Sequence, residues 1–218
     1  MTINSEDLIN SIMASLDRIK FVDSNAIPDI ALYMDQVTTF MDEQLRDSSR
    51  YKDIDKILTK TMINNYAKNN LLPPPEKKKY SKEHILILIL IYYFKNILSI
   101  SDIQMMLNPL TEKYFGKDSG YSIKDIYDEV TNMSHYQKEE LKKDVMSKYE
   151  EAGKAFEDAP EEEKESLQIF AFICLLSFDV YIKKLLVEKL LDEYSGKGNE
   201  KKDSKEKASK EKAHKEKS

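Results

Sequence analysis

Apolar positions along this chain recur mainly at helical spacing. Leu8, Ile12, Leu16 and Ile19 follow one another at steps of four, four and three. This predicts an amphipathic helix over residues 5–20 with Ser5 as its N-cap. After a connector closed by Pro28, Leu32, Met34, Val37, Phe40, Met41 and Leu45 predict a second, core-facing helix from Leu32 to Leu45. Residues 46–55 are polar and mixed in charge, as in a surface loop. A third helix is expected from Thr59 to Asn69, with Met62, Ile63 and Tyr66 turned inward. Its outer face carries Lys60, Thr61, Asn64, Asn65 and Lys68, polar without being acidic.

Leu71 and Leu72 anchor the exit of that helix, and Pro73, Pro74 and Pro75 enforce an extended path. A short lysine-rich arm follows, Glu76 to Tyr80. Ser81 caps the next helix, whose residues 85–91 are apolar on every side, the mark of a central, fully covered helix. Ser99 with Asp102 forms a capping-box pattern for a short helix that Asn108 and Pro109 are expected to end. Gly116 and Gly120 mark a hinge.

The remainder reads as helices. Ser122 with Asp125 and Ser134 with Gln137 look like two successive capping boxes, and Leu141, Val145, Tyr149, Ala152 and Phe156 form an apolar seam. A last helix is expected to start at Ala159 and Pro160, with three glutamates at its positive end, and to run to about Tyr194. Its aromatic residues, including Phe170, Phe172, Phe178 and Tyr181, are expected in the core. Lining an effector pocket is the alternative use for them. Beyond Gly196 no large apolar residue remains, so residues 196–218 are expected to be a disordered Lys/Glu-rich tail.

With 41% apolar residues and five glycines in 218, the composition favours an all-α fold with a substantial core. The single cysteine, Cys174, excludes an intramolecular disulfide and is read as a core thiol. No Ser-His-Asp order, glycine-rich phosphate loop or cluster of metal ligands is visible, and neither His84 nor His135 has a partner at ligand spacing. No catalytic role, cofactor or metal is expected. The apolar runs are too short or too interrupted to span a membrane, and the first residues lack the order of a secretory signal, so a cytoplasmic location is expected.

Charge changes this picture. The overall −5 divides into −5 over residues 1–57, +4 over 58–120, −8 over 121–195 and +4 over 196–218. Within the part expected to fold, the helix with the asparagines and the lysine arm occupy the one basic stretch. A local basic patch is what a nucleic acid would meet.

The ordered features of that stretch resemble the DNA-binding domain of the MerR family of bacterial transcription regulators, closest to an uncharacterised bacterial branch carried as a domain of unknown function. Leu58 and Thr59 stand at the entry of the family's helix, with Ile63 at its leucine and Tyr66 at its second tyrosine. Leu71, Leu72 and Pro73 match the exit. Lys79, Tyr80 and Ser81 match the wing, and Ser99, Ile100, Asp102 and Ile103 match the closing signature. The chain departs from the family in carrying Thr61 and Asn64 where two arginines are expected, in a long segment before the recognition helix, and in Asn108 and Pro109 after the signature.

The resemblance implies a winged helix-turn-helix domain over residues 29–120, preceded by a helical arm (1–28) and followed by an acidic helical domain for dimerisation or sensing (121–195). It implies a transcriptional regulator that binds double-stranded DNA, with the helix from Thr59 in the major groove and the lysine arm on phosphates. The expected DNA-binding residues are Lys60, Thr61, Asn64, Asn65, Lys68, Lys77, Lys78, Lys79 and Tyr80. Asparagine can match an adenine edge. So short a reading helix needs two half-sites, hence an expected homodimer on the C-terminal helices. The resemblance also implies a small-molecule or protein effector, as in the effector domains regulators often carry. The competing expectation is a helical protein-interaction module on a degenerate winged-helix scaffold, with no role for DNA.

Overall fold

A computed structural model describes residues 5–18, 21–117 and 120–195. It is mostly helical. The elements are α1 (Ser5–Arg18), β1 (Leu32–Tyr33), α2 (Met34–Leu45), α3 (Lys60–Lys68), β2 (Lys79–Tyr80), α4 (Lys82–Phe94), α5 (Ile100–Tyr114), α6 (Ile123–Ala152) and α7 (Glu161–Tyr194). The expected arm residue Ile19 and the expected disordered tail lie outside the described residues.

Two cores organise the described residues. The first gathers Val22 and Ile27, the buried sides of α2 and α3, Leu71 and Leu72, almost all of α4, and Ile103 and Leu107 of α5. As expected of a helix apolar on every side, α4 is its centre, and Ile85 through Ile89 are all buried. This core runs past the domain boundary expected at residue 120, because Ile123 and Tyr127 at the start of α6 belong to it. The Tyr127 hydroxyl donates to the Val22 carbonyl at 2.6 Å and closes the unit.

The second core is smaller. Ile9 of α1, Val145 and Ala152 of α6, and Phe172 of α7 form its centre, and Tyr149 meets Phe172 edge to face at 5.6 Å. Lys142 pairs with Asp17 at 2.6 Å and Lys148 with Asp179 at 3.0 Å, fastening α6 to α1 and α7.

Several local expectations are corrected. Leu32 and Tyr33 are strand, pairing antiparallel with Tyr80 and Lys79 before α2 begins. The segment after α2 is the loop expected there: Arg46, ion-paired with Asp42, donates to the Lys52 and Asp55 carbonyls at 2.5 and 2.6 Å, and Ile57 and Leu58 beyond it enter the first core. Pro109 does not end α5. It costs the helix one hydrogen bond, while Leu110, Tyr114 and Phe115 beyond it still pack on the first core and hold the helical path.

Nor does Ser134 start a new helix. Its hydroxyl donates back to the Val130 carbonyl at 2.9 Å inside one continuous thirty-residue α6. Of the seam read on that helix, Leu141 is exposed and Phe156 lies beyond the helix end, also exposed. Of the α7 aromatics expected in the core only Phe172 is buried, whereas Phe170, Phe178 and Tyr181 are each about 60% exposed. Cys174, expected as a core thiol, is only half-buried.

Candidate nucleic-acid interface

The helix α3 is short and firmly bounded. The Thr59 hydroxyl accepts from the Met62 amide at 3.2 Å at its start. At its end Asn70 takes a left-handed conformation (φ 55°), and the amides of Leu71 and Leu72 return to the Tyr66 carbonyl at 2.9 and 3.2 Å. Ile63 and Tyr66 are buried, and burial raises the Tyr66 pKa. Lys60, Thr61, Asn64, Asn65 and Lys68 are left exposed. Lys60 is not idle there, because it forms an ion pair with Asp35 of α2.

The lysine arm is a tight hairpin. Glu76 bridges Lys79, whose amide donates to the Glu76 carbonyl at 2.9 Å, and Lys77 and Lys78 form the two-residue turn between them. Both have positive φ, 49° and 65°. Two-residue turns of this kind usually carry Asn-Gly, because a β-carbon makes left-handed backbone costly. Here two lysines hold it and stand at the exposed tip.

Lys79 leads back into β2, with its ammonium 5.0 Å from the centre of the Tyr33 ring. Tyr33 precedes α2, whose first turn carries the Asp35 that holds Lys60. The hairpin and the start of α3 therefore flank the same end of α2.

Tyr80 does not belong to this face. It is 3% exposed, packs edge to face on His84 at 5.5 Å, and has its hydroxyl pKa raised by burial. Strand alternation explains the correction: Lys79 points outward, so Tyr80 must point into the core. His84, unpartnered in sequence, fixes the hairpin base. Its Nδ1 accepts from the Ser81 amide at 3.0 Å, Nε2 lies 3.4 Å from the Pro74 carbonyl, and Phe115 closes over the ring at 4.7 Å. Tyr33 is not legible in the sequence because its strand is only two residues long, below what periodicity can register, and Asp35 is not because its partner Lys60 comes from a different helix.

A separate cleft of about 460 Å³ lies between α1, α6 and α7, with Leu16, Phe21 and Leu141 as its apolar lining and Lys138, Asp144 and Lys183 among its charged groups.

A family model described as "Domain of unknown function (DUF1836)" matches residues 22–130, half of the chain. The chain belongs to this family. The DUF1836 match begins at Val22 and ends just beyond Tyr127, the two residues whose hydrogen bond closes the first core, so the family unit takes in all of that core's buried residues except Leu191 of α7. Both α3 and the lysine hairpin fall within it. No curated protein and no solved structure matches the chain. No helix among the described residues is long and apolar enough to cross a membrane.

Proposed function

We propose that the DUF1836 unit of this chain is a MerR-like winged helix-turn-helix that binds double-stranded DNA, and that the protein is a transcriptional regulator. The observation that carries this reading is the Lys77–Lys78 turn. Two side chains held in left-handed backbone cost about 1–2 kcal/mol each, and strain of this kind persists where the side chains serve a purpose. Phosphate binding is such a purpose, and it suits the basic stretch in which the turn sits.

In this reading α3 presents Thr61, Asn64 and Asn65 to base edges, Lys60 and Lys68 flank them, and Lys77, Lys78 and Lys79 grip the backbone. Without arginines on α3, the phosphate backbone supplies most of the affinity. The cleft between α1, α6 and α7 is the place for an effector.

Changing Lys77, Lys78 and Lys79 together to alanine is expected to weaken binding to every duplex alike, with the salt slope falling by about 1 for each lysine that had met a phosphate. A sharper variant is Lys77→Asn with Lys78→Gly. It relieves the turn, so the protein gains stability while DNA binding falls. An unchanged salt slope would remove the hairpin from the interface, and a wild-type protein that binds no duplex at low salt would end the DNA reading.

The competing reading, an interaction module with no nucleic acid, draws on the acidic C-terminal helices. It expects lysine substitutions to leave all DNA titrations flat and equal.

A further inference from the structure

The helix α7 is too apolar for where it lies. Of its 34 residues only Phe172 and Leu191 are buried, the first in the second core and the second in the first core. Between and beyond these anchors, Phe178, Ile182, Leu186, Leu190 and Tyr194 succeed one another at steps of four, each 54–71% exposed. Residues four apart form one continuous ridge on a helix surface, the unit by which helices pack into one another's grooves. Tyr181 lies beside it, equally exposed.

We propose that this ridge pairs antiparallel with the same ridge of a second copy of the chain, with Leu186 at the two-fold axis. Area supports a protein partner of this size. At about 200 Å² for a large side chain, the six residues expose roughly 700 Å². The largest apolar patch of a typical monomer is about 300–600 Å², and each side of a stable complex buries about 800 Å².

Symmetry and charge favour a second copy over other occupants. A two-fold antiparallel pair crossing at Leu186, at the angle of about −50° that such ridges adopt, sets Ile182 against Leu190, twice over, with Phe178 and Tyr194 at the rim. The chain's own residues 196–218 contain no large apolar side chain that could cover the ridge. An anionic bilayer is disfavoured because α7 carries eight acidic residues against four lysines.

Pairing through α7 does not depend on DNA binding, and its test needs no DNA. Light scattering and sedimentation equilibrium on the full chain at micromolar concentration are expected to give twice the 25.4 kDa chain mass. Ile182→Glu with Leu186→Glu, both exposed in the single chain, is expected to give a monomer with unchanged helical circular dichroism. Val180→Glu, on the opposite side of α7, is expected to stay dimeric. In a Cys174→Ser background, Leu186→Cys should cross-link to itself on mild oxidation and Tyr194→Cys should not. A wild-type chain that stays monomeric at tens of micromolar overturns the proposal, as does a dimer indifferent to the double glutamate variant.

Discussion

Two helices among the described residues carry large apolar side chains around their whole circumference, and they meet opposite fates. In α4 the residues from His84 to Ile89 are all buried, because α2, α3, α5 and α6 pack around it. In α7 two residues out of 34 are buried, although its sequence also mixes Leu, Ile, Val and Phe around the whole circumference. Apolarity on all faces says that a helix will be covered; it does not say by which chain. In α4 the cover comes from the family unit itself, whereas in α7 the monomer leaves a ridge open for another molecule.

The largest expected effect separates these two helices directly. Leu88→Ala, at a site with no exposure, removes core volume and is expected to destabilise the protein by about 2–5 kcal/mol in urea unfolding at any protein concentration. Leu186→Ala, at a site 56% exposed, is expected to cost less than about 0.5 kcal/mol in dilute protein. Its cost should grow as concentration rises and the paired form dominates. If both substitutions shift the unfolding midpoint equally and without concentration dependence, α7 is an ordinary part of a single-chain core.

The same contrast shows what the sequence could disclose. Where one segment supplies its own signals, the elements were legible: Thr59 as a cap, Leu71 and Leu72 as an exit, the all-round apolar run of α4, and Ser99 with Asp102 at the start of α5. Where the outcome depends on residues far away in the chain, they were not. Leu32 and Tyr33 look like the first turn of a helix until Lys79 and Tyr80 arrive to pair with them. Ser134 is a different case: its hydroxyl turns back to Val130 only four residues before it, and a serine followed three residues later by glutamine suits a helix interior as well as a cap.

The candidate interface divides in the same way. The split of α3 into polar and apolar faces follows from helical period alone. The placing of Tyr80 inside and the left-handed turn of Lys77 and Lys78 require the strand pair that periodicity did not register, and the Asp35 partner of Lys60 requires α2 to lie beside α3.

A second way to sharpen the comparison is pH, because the family unit buries a histidine at the base of its hairpin. Burial lowers the His84 pKa below its ordinary value of 6.5, and the accepting role of Nδ1 toward the Ser81 amide requires the neutral ring. Between the folded and unfolded pKa values the unfolded chain binds more protons. This share of stability is therefore complete above about pH 6.5 and is lost as the pH falls below it. Thermal melts from pH 8 to pH 5 should show the decline. His84→Gln can preserve the capping box without titrating, so it should flatten that part of the profile. A wild-type profile flat across this range would mean that the hairpin base tolerates a charged ring.

The smallest effect on stability, and the most specific for the interface, concerns the ion pair that holds Lys60. Both partners are largely solvent-exposed, Lys60 at 59% and Asp35 at 76% of their side chains, and an exposed pair contributes less than about 1 kcal/mol. Asp35→Asn should therefore leave the melting temperature nearly unchanged. On DNA the same change acts twice in one direction: it frees the Lys60 ammonium to meet a phosphate and removes a negative charge beside the hairpin and α3. Affinity for every duplex is expected to rise, and the salt dependence to steepen by about one ion per released lysine. Lys60→Ala should give the reverse, weaker binding at similar stability. The double variant Asp35→Asn with Lys60→Ala should lose the steepened slope, because the gain runs through the lysine. If Asp35→Asn changes neither affinity nor slope, the face that joins α3 to the lysine hairpin does not meet the duplex, and the DNA reading loses its geometry.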